Sequence, residues 1–154
     1  MTLSLVLNTI PLMRLWQIVI DTNVLISALR SQFGASYKLL MMLNSGKFET
    51  NMSVSLAMEY EAVSKRILGE IELTEEDVED VLNYVISASN RRKVYYLWRP
   101  FLRDPNDDMV LELAVSAGCQ IIVTYNKKDF RGVESFGIKI MTPQEFLRAI
   151  GEIK

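Results

Sequence analysis

Residues 17–23 read QIVIDTN, and this short stretch decides the fold. A run of apolar, mostly β-branched residues that ends in a charge, here Asp21, is typical of a strand buried inside a parallel sheet. A helix is predicted to follow it near residues 24–29. Further strands are predicted at residues 48–52, 93–97, 121–124 and 138–141.

Helix signals lie between these strands. Periodic apolar residues predict a helix over residues 35–44 that is ended by Gly46. Other helix starts are predicted at Ser53 or Ser55, at a capping box from Thr74, at Asp104 with Pro105, and at a capping box from Thr142.

Strands and helices alternate along the chain, so we predict a three-layer, Rossmann-like α/β fold with a central, mostly parallel sheet and helices on both faces. In such folds ligands bind beyond the carboxyl ends of the strands. Asp21 and Thr124 lie at two of these ends.

The size and composition of the chain predict one globular domain. It has 154 residues, of which 49% are hydrophobic and 23% charged, and we assign residues 14–150 to the domain. Residues 1–13 lack periodicity, and we expect either a loose extension or a misplaced start codon. The single Cys119 rules out an internal disulfide and favours a reducing cytoplasm. No apolar run approaches the ~20 residues that a membrane span needs.

Histidine is absent from the sequence, which excludes a histidine base, nucleophile or metal ligand. Hydrolytic chemistry would have to use carboxylates, hydroxyls, lysine or metal-bound water. The net charge of −2 excludes a globally basic nucleic-acid binder but not a nuclease with a local basic rim.

Helical phase separates the acidic residues. At about 100° per residue, Glu59 lies roughly 70° from the centre of the apolar stripe of its helix, and Glu61 lies about 130° away. We therefore expect Glu59 at the edge of a cleft and Glu61 in solvent. In the later helix the same geometry places Asp107 at the edge of the stripe and Asp108 almost opposite it.

Each acidic residue at such an edge also has a purely structural interpretation. Asp21 could cap a helix, Glu59 could be a boundary residue, and Asp107 could belong to a capping box. Three carboxylates that flank one sheet edge are harder to explain in this way, because they repel one another unless a hard cation lies between them. Mg²⁺ or Mn²⁺ is the expected ion, since zinc would normally want histidine or cysteine.

Four stretches of the chain together resemble the PIN-domain family. They are residues 18–25 (IVIDTNVL), residues 53–60 (SVSLAMEY), residues 104–118 beginning with DPND, and residues 123–130 (VTYNKKDF). Each motif alone is weak, but their order and spacing together are fairly specific, and the resemblance covers nearly the whole chain.

The resemblance implies a PIN-like fold and an endoribonuclease that uses Mg²⁺ or Mn²⁺. Its catalytic and metal-binding residues would be Asp21, Glu59 and Asp107, and a metal held there would activate a water molecule. The nearest resemblance is to bacterial proteins described as toxin components of toxin–antitoxin pairs. It implies an RNA substrate, a cognate antitoxin protein and a homodimer.

The fourth motif departs from the family at Asn126, where many PIN domains carry an aspartate. Asparagine can coordinate a metal through its carbonyl but adds no charge, so one or two metal ions remain open. Asp129 either supplies the missing charge or begins a loop. Supporting polar residues would be Thr22, Asn23, Asp104 and Thr124.

Basic residues cluster in three places, although such clusters are usually solvated surface. They are Arg91 to Lys93, Arg99 with Arg103, and Lys127 and Lys128 with Arg131. Lys127 and Lys128 follow a strand end, where they could contact substrate phosphates.

Two other functions stay open at this stage. A phosphatase with Asp21 as nucleophile would want a second aspartate two residues later, where the chain has Asn23. A catalytically degenerate PIN fold that binds RNA or protein without cleaving it would be consistent with Asn126.

Overall fold

The computed structural model describes residues 15–94 and 101–154. Within these two ranges the chain forms five strands, β1 to β5, and six α-helices, α1 to α6. The strands are Trp16–Ile20, Phe48–Met52, Asn90–Arg91, Ile121–Val123 and Lys139–Met141. The helices are Thr22–Arg30, Ala35–Met41, Val54–Arg66, Glu75–Ala88, Pro105–Ser116 and Pro143–Ala149.

All five strands of the described ranges form one parallel sheet with the order β3-β2-β1-β4-β5. The chain first moves from β1 toward the β3 edge and then crosses back to β4 and β5. Since crossovers between parallel strands are right-handed, the two directions of travel place helices on opposite faces of the sheet. The predicted three-layer α/β architecture is confirmed.

The strand order reverses between β1 and β4, which are neighbours in the centre of the sheet. Connections from these two strands leave in opposite directions, so a crevice opens beyond their carboxyl ends. In open α/β sheets this is where ligands bind. Asp21 follows β1 directly and Thr124 follows β4 directly, so both residues lie at this crevice.

The predicted helix starts are confirmed by their caps. The Ser53 hydroxyl accepts a hydrogen bond from the Leu56 backbone at 3.1 Å. Thr74 and Thr142 each form a complete capping box with the acidic residue three positions later. These local bonds satisfy backbone N–H groups that a helix start would otherwise leave unpaired.

Two elements differ from the sequence prediction by more than two residues at a boundary. The helix predicted over residues 35–44 ends at Met41, three residues before its expected end. The strand predicted at residues 93–97 is wrong where it can be seen: β3 is the two-residue segment Asn90–Arg91, and residues 93 and 94 belong to no strand. Residues 95–97 of that prediction, and the extension at residues 1–13, lie outside the described residues.

The core lies on both faces of the central strands. Ile18, Val19 and Ile20 of β1 are almost completely buried, as are Ile122 and Val123 of β4. Burial on both faces explains why these strands read as continuous apolar runs. In the ranges that the structure describes, no helix is long and apolar enough to cross a membrane.

Candidate active site

Asp21 is the central acidic residue of the crevice, and its side chain is buried. One carboxylate oxygen accepts a hydrogen bond from the Thr22 backbone at 2.8 Å, so Asp21 also caps α1. The other oxygen accepts a bond from the Thr124 hydroxyl at 2.8 Å. Burial raises the pKa of Asp21, the bonds from Thr124 and Thr22 lower it, and the nearby charges of Glu59 and Asp129 raise it further.

Asn23 and Thr124 connect the first and fourth motifs beside Asp21. The Asn23 amide donates to the Thr124 hydroxyl at 3.1 Å and to Asp21 at 3.3 Å, and its carbonyl accepts from the Tyr125 backbone at 3.2 Å. The Thr124 hydroxyl also accepts from the Asn126 backbone at 3.0 Å. The orientation of the Asp21 carboxylate is therefore fixed by two side chains, Asn23 and Thr124, from the segments that follow β1 and β4.

Glu59 and Glu61 differ as their helical phase predicts. Glu59 is half-buried and accepts a hydrogen bond from the Thr22 hydroxyl at 2.5 Å, which directs its carboxylate toward the crevice. Glu61 is exposed and pairs with Lys65 at 2.8 Å along the outer face of α3. The structure thus brings Glu59, and not Glu61, to the Asp21 side of α3.

Tyr60, the last residue of the second motif, also belongs to this site, although the sequence analysis assigned it no role there. Its fully buried hydroxyl donates a short hydrogen bond to the Ile20 carbonyl, which ties α3 to the end of β1. Burial, with the charges of Asp21 and Glu59, raises the pKa of Tyr60 well above its ordinary value. In the sequence, the only sign of this role was that Tyr60 directly follows Glu59, the acidic residue of the second motif.

Asp107 is half-buried in the first turn of α5 and faces the same acidic group. Its pKa is raised to about 7, first by burial and then by the charges of Asp21, Asp104, Asp129 and Glu59. Asp104 is the N-cap of α5, and its carboxylate accepts from the Asn106 backbone at 2.9 Å. Among the described residues no hydrogen bond joins the Asp104 backbone N–H to the Asp107 carboxylate, as a capping box requires. The capping-box interpretation of Asp107 is therefore wrong.

The phase prediction for Asp108 is also wrong. Asp108 was expected almost opposite the buried stripe of α5, yet it is 2% exposed. Its carboxylate accepts hydrogen bonds from the backbone of Leu102 at 2.7 Å and of Phe101 at 3.3 Å. Glu112, one turn later, is buried on the same side. The preceding segment covers the face of α5 that an amphipathic helix would expose.

The fourth motif contributes Asn126 and Asp129, and of these only Asp129 acts electrostatically on the acidic residues of the crevice. Both residues are exposed, and the Asn126 carbonyl accepts from the Asp129 backbone at 3.0 Å in a short 3₁₀ turn. The Asp129 carboxylate is close enough to raise the pKa of both Asp21 and Asp107. The three predicted acids Asp21, Glu59 and Asp107 therefore interact electrostatically with a fourth carboxylate, Asp129, and Asp104 adds its charge at Asp107.

The basic residues near the crevice fall into two groups. Lys127 pairs with the Glu145 carboxylate at 2.8 Å, which lowers the pKa of Glu145. Lys128, Arg103 and Arg131 instead line a cleft of about 610 Å³ that also contains Asp107 and Asp129. The other basic clusters lie apart from this cleft or, like Arg99, outside the described residues.

The sequence of the chain also matches a known protein family. The sequence model of the PIN domain matches residues 17–128, which is most of the chain and includes Asp21, Glu59 and Asp107. The chain belongs to the PIN-domain family. No curated protein matches it.

A solved structure supports the same fold for this PIN domain. It is the crystal structure of VapBC2 from Rickettsia felis bound to a DNA fragment from their promoter, with a TM-score of 0.59 and 14% sequence identity. The likeness covers 82% of this chain and 98% of that chain. At this identity it shows the shared fold alone.

The donors of this PIN domain fit a hard divalent cation. They are carboxylate, amide and hydroxyl oxygens, whereas the sequence has no histidine and its one cysteine, Cys119, is buried. In residues 15–94 and 101–154, no three cysteine, aspartate or glutamate side chains lie close enough together to hold a metal ion by themselves. Mg²⁺ usually keeps several waters and takes only one or two carboxylates directly, so spaced carboxylates suit it.

The first prediction concerns the charge of Asp107. We expect Asp107→Asn to raise the free energy of unfolding of the metal-free PIN domain at pH 8 by about 1–2 kcal/mol, a value reduced for the solvent exposure of this residue. The folded-state pKa of about 7 exceeds the ordinary 3.8, so the folded protein holds this proton more tightly. Its contribution to stability is complete below about pH 4 and is lost as the pH rises through 7.

Urea unfolding in EDTA at pH 4.5 and pH 8 measures this effect. The gain should be present at pH 8 and nearly vanish at pH 4.5. Asp80→Asn, at an exposed position of α4, is the control and should show no such pH dependence. A loss of stability at pH 8 on replacing Asp107 would contradict the assignment, because no cap bond is removed.

Proposed function

We propose that this PIN domain is an endoribonuclease that hydrolyses RNA phosphodiester bonds with Mg²⁺ or Mn²⁺, as the toxin of a toxin–antitoxin pair. PIN domains are generally nucleases. The observation that carries the proposal is the group of interacting carboxylates at the switch point of the sheet, with raised pKa values at Asp21 and Asp107. Buried like charges of this kind are costly without a cation or a proton.

The proposed metal ligands are Asp21, Glu59 and Asp107, with Asp129 adding charge at the rim. A bound divalent ion supplies Lewis-acid chemistry, which activates water and neutralises charge on the phosphate. The chain holds these ligands in place by hydrogen bonding. Thr22 donates to Glu59, and Thr124 with Asn23 donates to one oxygen of Asp21.

Lys128 is the better of the two predicted phosphate contacts. It lines the cleft beside Asp107 and Asp129, whereas Lys127 is engaged by Glu145. A cation at this position can attract a substrate phosphate toward an acidic centre that would otherwise repel it.

The hydrogen bonds of Asn23 count against the phosphatase. That enzyme would need an acid at this position, but the Asn23 amide is used to hold Asp21 and Thr124, and its carbonyl accepts from the backbone. The degenerate, non-cleaving PIN fold is the stronger rival. It predicts RNA or protein binding that persists in EDTA, with no cleavage when a metal is added.

The experiment combines metal binding with RNA cleavage. We expect Mn²⁺ to bind the purified protein by calorimetry and to support cleavage of a fluorescent single-stranded RNA that EDTA abolishes. Asp21→Asn should remove both signals. Metal binding without cleavage of any RNA would favour the binding module, and a phosphorylated Asp21 after treatment with a phosphate monoester would favour the phosphatase.

The second prediction concerns the fourth carboxylate. We expect Asp129→Asn to raise the Mn²⁺ concentration for half-maximal cleavage by about three- to tenfold, because removing a negative charge weakens attraction to a hard cation. Asn126→Asp should change the midpoint less, since Asp129 already supplies charge at this corner. A Mn²⁺ titration of both variants, with exposed Glu76→Gln as control, measures the difference.

Two other results would be informative. A lower midpoint for Asn126→Asp alone would mean that position 126, and not Asp129, is the missing ligand position. If neither variant moves the midpoint, this corner of the domain does not contact the metal.

The antitoxin partner, the homodimer and the cytoplasmic location stay predictions from the resemblance and from the single cysteine.

A further inference from the structure

Two exposed aromatic rings stand at the cleft beside the proposed active site. Phe101 lines the cleft and is 45% exposed, and Phe136 next to it is 37% exposed. Their ring centroids are 5.2 Å apart at an interplanar angle of 75°. The pair therefore presents a compact aromatic surface to solvent at the edge of the cleft.

The surrounding backbone supports the position of Phe101. The buried Asp108 carboxylate accepts hydrogen bonds from the backbone of Phe101 and Leu102. The ring lies against Gly132, whose φ is +92° and where a Cβ atom would stand 3.6 Å from the ring. An aromatic ring that is held in place loses little entropy when a ligand stacks on it.

Three cations share the cleft with these rings. Arg103, Lys128 and Arg131 line it together with Phe101, Asp107 and Asp129. Among ion pairs between described residues, neither Lys128 nor Arg131 takes part, in contrast to Lys127. Single exposed apolar residues are normal on a protein surface, but an aromatic pair amid three cations at an acidic centre is a specific combination.

This combination matches the chemistry of an unpaired nucleotide. A base stacks on an aromatic ring, and neighbouring phosphates pair with lysine or arginine. In a duplex the faces of the bases are already stacked on one another, so a protein ring cannot reach them without unstacking. A surface of this chemistry favours an unpaired base over a base pair in a duplex.

We propose that Phe101 and Phe136 form a stacking platform for one unpaired base next to the cleaved bond, and that Lys128, Arg131 and Arg103 contact its flanking phosphates. The proposal rests on the proposed ribonuclease function and names the side chains that hold an unpaired base of its substrate. The platform binds the substrate and takes no part in activating water. It acts on affinity rather than on the chemical step.

Binding and cleavage of a short fluorescent RNA test the platform. We expect Phe101→Leu to weaken binding in EDTA by about 5- to 100-fold, as loss of one base–aromatic stack does. In Mn²⁺ its KM should rise in the same proportion while kcat and the Mn²⁺ midpoint stay unchanged. Phe101→Trp should restore affinity, and Phe33→Leu, at a 91% exposed ring on the α1–α2 loop, is the matched control.

An abasic scan of the RNA identifies the stacked base. One abasic position should weaken binding to the unaltered protein as much as Phe101→Leu does, and should weaken binding to that variant no further. Lys128→Gln and Arg131→Gln should each reduce the salt dependence of binding by about 0.7 in the log–log slope. The control Lys65→Gln, on the outer face of α3, should leave this slope unchanged.

The outcomes separate this inference from the proposed function. If the protein cleaves RNA but Phe101→Leu and Phe136→Leu match the unaltered protein, the platform is refuted and the nuclease stands. Equal cleavage of a duplex of the same sequence would also refute the platform. If no RNA is bound or cleaved in any metal, the proposed function itself fails. Thermal unfolding of each variant shows whether a loss of affinity reflects loss of the fold.

Discussion

Glu59→Gln is expected to reduce RNA cleavage by about 10²–10³-fold, whereas Glu61→Gln leaves the rate within about twofold, because only the first removes charge from the proposed catalytic centre. The two residues lie on the same helix, two positions apart. Glu59 accepts a hydrogen bond from the Thr22 hydroxyl, and its charge contributes to the raised pKa values of Asp21 and Asp107. Glu61 instead pairs with Lys65 in solvent.

This comparison controls for general effects on the helix. Both substitutions replace a carboxylate of α3 by an amide of the same size, so a difference in rate reports position alone. Single-turnover cleavage at saturating Mn²⁺ measures the chemical step, and a Mn²⁺ titration reports any loss of metal affinity. Equal losses in the two variants would mean that the contribution is general electrostatics of α3 and not a ligand at Glu59.

The second large effect is expected at Asp108, in stability rather than in catalysis. We expect Asp108→Ala to lower the free energy of unfolding by about 2–4 kcal/mol, because it removes the acceptor of the buried Leu102 N–H and of the partly buried Phe101 N–H. This would be a large part of the about 5–15 kcal/mol that stabilises an ordinary domain. Asp108→Asn keeps one acceptor oxygen and should lose less.

Urea unfolding of the metal-free protein measures this loss. Asp107→Asn, one residue earlier in α5, is the contrasting variant, because we expect it to stabilise the protein. A loss below 1 kcal/mol for Asp108→Ala would show that water replaces the carboxylate. If Asp108→Asn also raises the KM for RNA, then Asp108 positions Phe101 as well as stabilising the fold.

The sequence predicted the parts of the fold that depend on local chemistry. Buried central strands read as apolar runs, and helix starts at Ser53, Thr74 and Thr142 were recognisable because their caps involve residues only three positions apart. The third strand was placed wrongly because Asn90–Arg91 is a short, polar edge strand whose pairing with β2 leaves no apolar signal. Because the prediction followed the apolar residues, it placed this strand a few residues too late in the chain.

Asp108 shows where helical phase is insufficient. A periodic stripe predicts which face of a helix packs on the core, but it assumes that the opposite face meets water. On α5 residues 101 and 102 cover that face and donate their backbone N–H groups to the carboxylate. Which segment covers a helix depends on tertiary structure, so neither this burial nor the cleft beside Phe101 could be predicted from spacing.

The candidate site was easier to predict than the covering segments, for a topological reason. Asp21 and Thr124 each follow a strand, and the carboxyl ends of parallel strands meet at one edge wherever the strands lie in the sequence. For Asp129 the sequence left two alternatives, a source of charge or the start of a loop, because its effect depends on how close the 3₁₀ turn brings its carboxylate to Asp21 and Asp107.

The hydrogen bond between Thr124 and Asp21 spans 103 positions of the chain, and this separation determines the delay between the synthesis of the two residues. A ribosome adds about 5–20 residues per second, so Asp21 is synthesised roughly 5–20 s before the residue that orients it. Until β4 emerges and joins β1, the central strand lacks one neighbour and the acidic residue lacks its partner. On the proposed function, the nascent chain therefore lacks a complete active site until Thr124 has been synthesised and β4 has joined β1.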